Sequence, residues 1–286
     1  MRTTNDPRPV PPAGEEQAPD QPPGARARIG LSRETLAVRG LQVSLGVLLL
    51  GLWQLAASLK WPDPVLAKSP LQSWDYLVGA ARSGELWSNT YATMSAVLIA
   101  WVLAGLAGVV AGLALGLMPR TERVLNPYLD AANAMPRIAL APLLIVALGI
   151  GTSAKVALAS TLVFFIVLSG ARAGVRSTDA EWLRLSAVLG ARKRQLFFKV
   201  MLPVATPAIF AALRLGIIYS LLGVVGSELI SARDGLGQLI AYDSSVFQME
   251  GVYGILVLLA VIAVILNQLM SLLERRLLRW QPPADR

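Results

Sequence analysis

Two ionisable side chains stand inside otherwise apolar sequence. Arg214 and Glu228 both fall in a run from about Thr206 to Ile230. A charge placed in hydrocarbon is costly, and a chain that keeps one there marks a candidate for handling a solute or an ion. On one continuous helix the two lie roughly 21 Å apart, at about 1.5 Å per residue, so they are not partners. Two readings stay open for each. Arg214 either snorkels toward one face or lines a pathway. Glu228, with Ser227 beside it, stands either at the outer interface or on the pathway. Other chemistry is thin. Cysteine and histidine are both absent, which removes disulfides, thiolate metal sites, cysteine nucleophiles and histidine-based triads. No catalytic residue and no metal-ligand set is therefore predicted. No phosphate-cradling G-x-x-x-x-G-K-[ST] run occurs either, so any ATP that drives this chain is bound by another subunit, and no cofactor is expected here.

The second constellation is basic. Asp179 to Pro207 is the longest polar interruption of the apolar sequence, and it carries Arg184, Arg192, Lys193, Arg194 and Lys199. Trp182, Leu185 and Leu189 recur at helical spacing before Gly190, and an apolar run with Leu196, Phe197, Val200 and Met201 follows it. The pattern predicts two short helices with a turn at Gly190, closed by Pro203, which lacks a backbone donor.

The elements around these residues are membrane spans. Of 286 residues 55% are hydrophobic and only 15% charged, too apolar for an ordinary soluble domain. Residues 1–30 are rich in proline, glycine, Glu and Gln and predict a disordered tail. Residues 31–286 form the membrane domain. Spans are predicted at about 41–59, 92–118, a short stretch ending near Gly149, 154–170, 206–230 and 252–273. The stretch between Pro62 and Asn89 predicts a short amphipathic surface helix around Trp74 and Tyr76. Gly108, Gly112 and Gly116 make a small-residue face in the second span, suited to close internal packing. The fold class is all-α, a polytopic membrane protein with about six transmembrane helices.

Charge placement fixes the expected orientation. The net charge of +8 concentrates before the first span, between Pro119 and Arg137 at Arg120, Arg123 and Arg137, in the 175–203 loop and after Leu273. An even span count puts all four regions on one side, and the positive-inside rule makes that side cytoplasmic, both termini included. No basic stripe with interleaved aromatics runs along the chain, so nucleic acid is not an expected partner.

The 175–203 loop resembles the cytoplasmic signature of the permease subunits of binding-protein-dependent ABC importers, E-A-A-x3-G-x9-I-x-L-P. Aligned on Gly190, Val200, Leu202 and Pro203 meet the pattern, whereas Arg184, Leu185 and Ser186 replace Glu-Ala-Ala. The proline-glycine frame of Pro127, Pro136, Pro142, Gly149, Gly151 and Lys155 is similar too. So are Ser227-Glu228 upstream of Gly235-Leu236-Gly237 and the Leu-Glu-Arg-Arg run ending at Arg276, as in taurine, aliphatic sulfonate and nitrate permeases. The resemblance implies a bacterial plasma-membrane permease importing a small anionic or organic solute. It implies a second permease copy, two ATPase subunits and an extracytoplasmic solute-binding protein as partners, besides the lipid bilayer. Glu181, Trp182, Arg184, Gly190, Arg192, Leu202 and Pro203 would form the ATPase-coupling loop. Because Arg184 takes an acidic position, Glu181, one helical turn earlier, is the expected source of negative charge. The competing readings are a stand-alone secondary transporter and an intramembrane enzyme, for which only Arg214 and Glu228, or Ser, Lys and Asp side chains, offer anything.

Overall fold

The structure is a computed structural model and describes residues 33–61 and 63–278; the proline-rich tail expected to be disordered lies outside them. Among the described residues every regular element is helical. The chain divides at Leu49 into two units. Residues up to Leu49 hold most of the first helix, α1 (Arg33–Ser58), which is apolar through most of its length.

From Leu50 onward, three long helices make the core: α3 (Glu85–Leu117), α6 (Thr152–Arg176) and α9 (Leu202–Ile230). They approach one another through small residues. A Cβ at Gly112 of α3 would lie 2.5 Å from the Leu168 carbonyl oxygen of α6, and one at Gly174 of α6 would lie 2.9 Å from that of Ala205 on α9. Lipid tails are as apolar as leucine, so hydrophobicity alone does not pair these helices; close backbone approach and dispersion do. The glycine face of α3 is thus an internal packing face. Val97, Ala100, Ala159 and Val224 fill the space between the helices.

A second cluster, with Leu86, Leu236, Leu239 and Ile255, joins three further elements at one end. These are α2 (Pro70–Arg82), α10 (Leu236–Ser245) and the last span, α11 (Met249–Leu277). Ser69 caps α2 in a capping box with Gln72, which makes the expected amphipathic surface segment a defined helix.

Among the described residues five helices are long and apolar enough to cross a membrane, and six spans result if one bent pair counts as one. That pair joins the predicted short third span to the basic stretch before it. It breaks at Met135-Pro136 into α4 (Pro119–Ala134) and a 3-10 turn, Arg137–Leu140, running into α5 (Ala141–Leu148), with an 81° bend. Pro136 has no N–H to continue the ladder and biases Met135 away from helix, so a break here is what the backbone chemistry requires.

The fifth span also differs from expectation. It begins at Lys193, not near Thr206, because α8 (Lys193–Leu196) passes through a π-helical turn, Phe197–Met201, directly into α9. The second short helix of the basic loop is therefore the first turns of a span. Pro203 does not stop it. The wider π turn, in which the Leu202 N–H donates to the Phe197 carbonyl, lets a residue without a donor continue the helix.

Candidate functional site

The basic loop is built for display. Its first helix, α7 (Ala180–Val188), starts at Asp179, whose Oδ1 accepts the Glu181 N–H at 2.9 Å, and Glu181 adds a second negative charge at the positive end of the helix dipole. The helix ends in a Schellman turn: the Ala191 N–H donates to the Ser186 carbonyl and the Gly190 N–H to that of Ala187, each at 3.0 Å. Gly190 sits at φ +71°, a left-handed conformation that costs other L-residues about 1–2 kcal/mol. No atom lies within 4 Å of where its Cβ would be, so the demand for glycine comes from the backbone alone. After the turn, Gln195 Oε1 accepts the Arg192 N–H at 2.9 Å and the chain enters the span that holds Leu202 and Pro203.

The apolar side chains of α7 do not fold back onto the helices. Trp182, Leu185 and Leu189 are exposed, and Val188 is 84% exposed. Glu181 and Arg184 are exposed too. Behind α7 lies a groove of about 590 Å³ walled by Leu117, Val175, Leu183 and Phe197, with Arg176 and Lys193 at its edge. The base of the loop is fixed by charge. Arg176 Nη2 meets Glu122 Oε2 of α4 at 2.6 Å, while Arg172 approaches Glu122 Oε1 at 3.4 Å and donates to Asn126 Oδ1 at 2.6 Å. Glu122 is buried between two arginines, so the segment from which α7 projects is held to α4.

Glu228 lies at the other end of α9, only 1% exposed, inside a polar clamp. Lys155 Nζ of α6 meets its Oε1 at 3.1 Å. Thr93 of α3 donates to the carboxylate at 3.0 Å, and the Gly237 N–H donates to Oε2 at 2.9 Å. Lys155 also donates to the Asp234 carbonyl and to its Oδ1, both at 2.6 Å. Asn89 and Thr93, one helical turn apart on α3, accept the N–H groups of Gly235 and Leu236 at 2.7 and 2.8 Å. The loop Asp234–Gly237 is thereby stapled to three spans. A Cβ at Gly235 would collide with the Glu228 carboxylate, which explains the glycines of this loop.

The other expected residues separate from this clamp. Arg214 pairs with Glu274 of α11 at 2.9 Å. Ser227 is buried, with an Oγ that has no hydrogen-bond partner among the described residues. Glu228 is partnered within its own chain, by Lys155. Lys155, part of the proline-glycine frame, stands at the very edge of an apolar run, and its sequence context carries no sign of this pairing. The available signal was Asn89 and Thr93, two polar residues at helical spacing where α3 begins.

A further cluster lies where α2, α10 and α11 meet. Burial raises the Asp243 carboxyl above its usual range against the opposing effect of Tyr76, and the neighbouring Glu85 and Glu250 push the same way. Burial, and then Asp243 beside it, raises the Tyr76 phenol as well.

Long apolar helices around a small-residue core, a broken span and a projecting basic loop define a multi-pass membrane protein. The chain belongs to the family of binding-protein-dependent transport system inner membrane components, whose model matches residues 84–279. It is 30% identical to the taurine transport system permease protein of Escherichia coli, over 85% of this chain and 90% of that protein. It is 34% identical to the riboflavin transport system permease protein of Chloroflexus aurantiacus, with the same coverages. Among solved structures, an inward-facing form of the MetNI methionine ABC transporter superposes with a TM-score of 0.58 at 18% identity, covering 67% of this chain and 96% of that one. The protein is the permease subunit of an ABC importer, a class that works with an ATPase subunit and a solute-binding protein.

Proposed function

We propose that two copies of this chain form a translocation pathway in the bacterial inner membrane, with both termini and the 175–203 loop on the cytoplasmic side. The solute is a small anionic or organic molecule, in the range of sulfonates, taurine or nitrate; taurine and riboflavin permeases among the relatives bracket that chemistry. An extracytoplasmic binding protein delivers it, and no bond is made or broken within this chain. ATP binding closes two ATPase subunits, and the loop transmits that motion to the spans.

The observation that carries this reading is α7. An apolar helix with Val188 84% exposed, on a glycine-dependent turn directly upstream of the Lys193–Ile230 span, is arranged to seat on another protein. Because α8 is continuous with that span, a push on α7 is delivered to α9 through the Gly190 turn. The test is pull-down of the ATPase subunit from detergent, with hydrolysis measured in parallel. Gly190→Val should insert normally yet lose docking and solute-stimulated hydrolysis, and Glu181→Ala should weaken docking more than Arg184→Ala. Full docking and normal stimulation by the valine variant would remove the loop from the coupling path.

A further inference from the structure

Arg137 follows the break in the α4–α5 span, and sequence reasoning had left it among the cations at one membrane face. The structure puts it elsewhere. Its guanidinium lies 4.4 Å from the centroid of the Phe165 ring. Phe165 stands near the middle of α6, thirteen residues after Thr152 and eleven before Arg176, roughly 20 and 17 Å from the two ends at about 1.5 Å per residue. Arg137 is therefore a cation at mid-span depth. It is only 8% exposed. One nitrogen, Nη2, donates to Asn133 Oδ1 at 2.6 Å, and no carboxylate pairs with it among the described residues.

That isolation is unusual. Arginine keeps its proton, so burial does not neutralise it. A buried charge is normally paired, and leaving one without a counter-charge costs several kcal/mol. Two other cations of the long helices obey the rule, Lys155 pairing with Glu228 near one end of α6 and Arg214 with Glu274 of α11. Stacking on an aromatic face lowers the cost and fixes the plane of the guanidinium, but supplies no hydrogen-bond acceptor. The surroundings are those of a site. The span is broken beside Arg137 and bent by 81°, and backbone freed at membrane depth is tolerated where it borders protein or a wet cavity. The other side of Phe165 walls a mainly apolar cavity of about 400 Å³ with Leu103, Ala104, Ala107, Phe164, Ser160 and Thr161.

We infer that Arg137, held by Asn133 and Phe165, is a transient binding site for the anionic group of the transported solute, a sulfonate or a similarly sized oxyanion, midway through the membrane. The inference rests on the reading of the chain as a permease for small anionic or organic solutes and narrows it to anions. A guanidinium offers two parallel N–H donors to such a group. One cation without a second anchor binds weakly, which suits a site that must release its ligand onward.

The test uses the full-length permease with its ATPase subunits in nanodiscs. Methanesulfonate is the probe and dimethyl sulfone its neutral counterpart, with thermal unfolding as the readout. Methanesulfonate should raise the unfolding midpoint saturably and dimethyl sulfone should not. Arg137→Gln should abolish that response without lowering the midpoint in sulfonate-free buffer, because it removes an uncompensated charge. Arg137→Lys should respond with at least several-fold weaker affinity, and Phe165→Leu should weaken it as well. Three results would each overturn the assignment: no methanesulfonate response in the wild type, an unchanged response in Arg137→Gln, or a glutamine variant destabilised before any probe is added. The last would mean that the charge already has a partner, such as a carboxylate of the second copy. ATPase pull-down on the same samples reports on the permease reading separately, since Arg137 is remote from α7.

Discussion

Replacing Lys155 by methionine tests whether the clamp around Glu228 holds the fold or serves the pathway. The side chains are similar in length, so the change removes a charge and its donors with little change in volume. In the wild type, Lys155 Nζ satisfies Glu228 Oε1, Asp234 Oδ1 and the Asp234 carbonyl. In the variant Glu228 keeps Thr93 and the Gly237 N–H but loses its counter-charge, at 1% exposure. Removing one member of a buried pair costs about 3–5 kcal/mol. Asp234 is half exposed and returns to water, so the lower end of that range applies. About 3 kcal/mol is more than a hundredfold in the folded-to-unfolded ratio, taking about 1.4 kcal/mol per factor of ten. The assay is denaturation of the purified permease in detergent, followed by folded membrane abundance and uptake per folded molecule. Lys155→Met should lower stability and abundance while uptake per folded molecule stays near wild type. Adding Glu228→Gln should restore part of the loss, since the second change removes the stranded charge. Unchanged stability with lost uptake would refute the clamp and return Glu228 to the pathway.

Three further outcomes follow from the same geometry. Gly112→Val should prevent stable packing of α3 on α6, because its Cβ would meet the Leu168 carbonyl oxygen at 2.5 Å and backbone does not yield; protease resistance of the membrane-inserted protein checks it. Asp243→Asn should stabilise the protein at pH 8, with the gain shrinking toward pH 4. A carboxyl raised by burial favours the folded state below its unfolded pKa and forfeits that as pH rises through the folded value, so removing it helps only where it is ionised; melting at several pH values shows the trend. Deleting residues 2–28 should leave insertion and uptake intact, as quantitative membrane blotting and transport would show.

The spans were legible because a membrane leaves little freedom: apolar runs of sufficient length with basic flanks have few other uses. The Gly190 turn was legible because only the backbone demands glycine there, and turn chemistry is local. Two features were not. The continuity of Lys193–Ile230 was hidden because Pro203 reads as a stop, and its accommodation depends on a π turn that no residue pattern announces. The Lys155–Glu228 pair was hidden because its members stand 73 residues apart and meet only once α3, α6 and α9 have packed. Arg137 was misplaced for a related reason. A basic residue beside a proline reads as a loop cation until the 81° bend brings it against the middle of α6.

If energy enters through a partner at the α7 loop, transport depends on that partner and on ATP. The measurement is solute uptake into vesicles reconstituted with the permease, its ATPase subunit and its binding protein, omitting each component and ATP in turn. Uptake should require all four and collapse with Gly190→Val. Uptake by the permease alone, driven by a proton or sodium gradient without ATP, would contradict it.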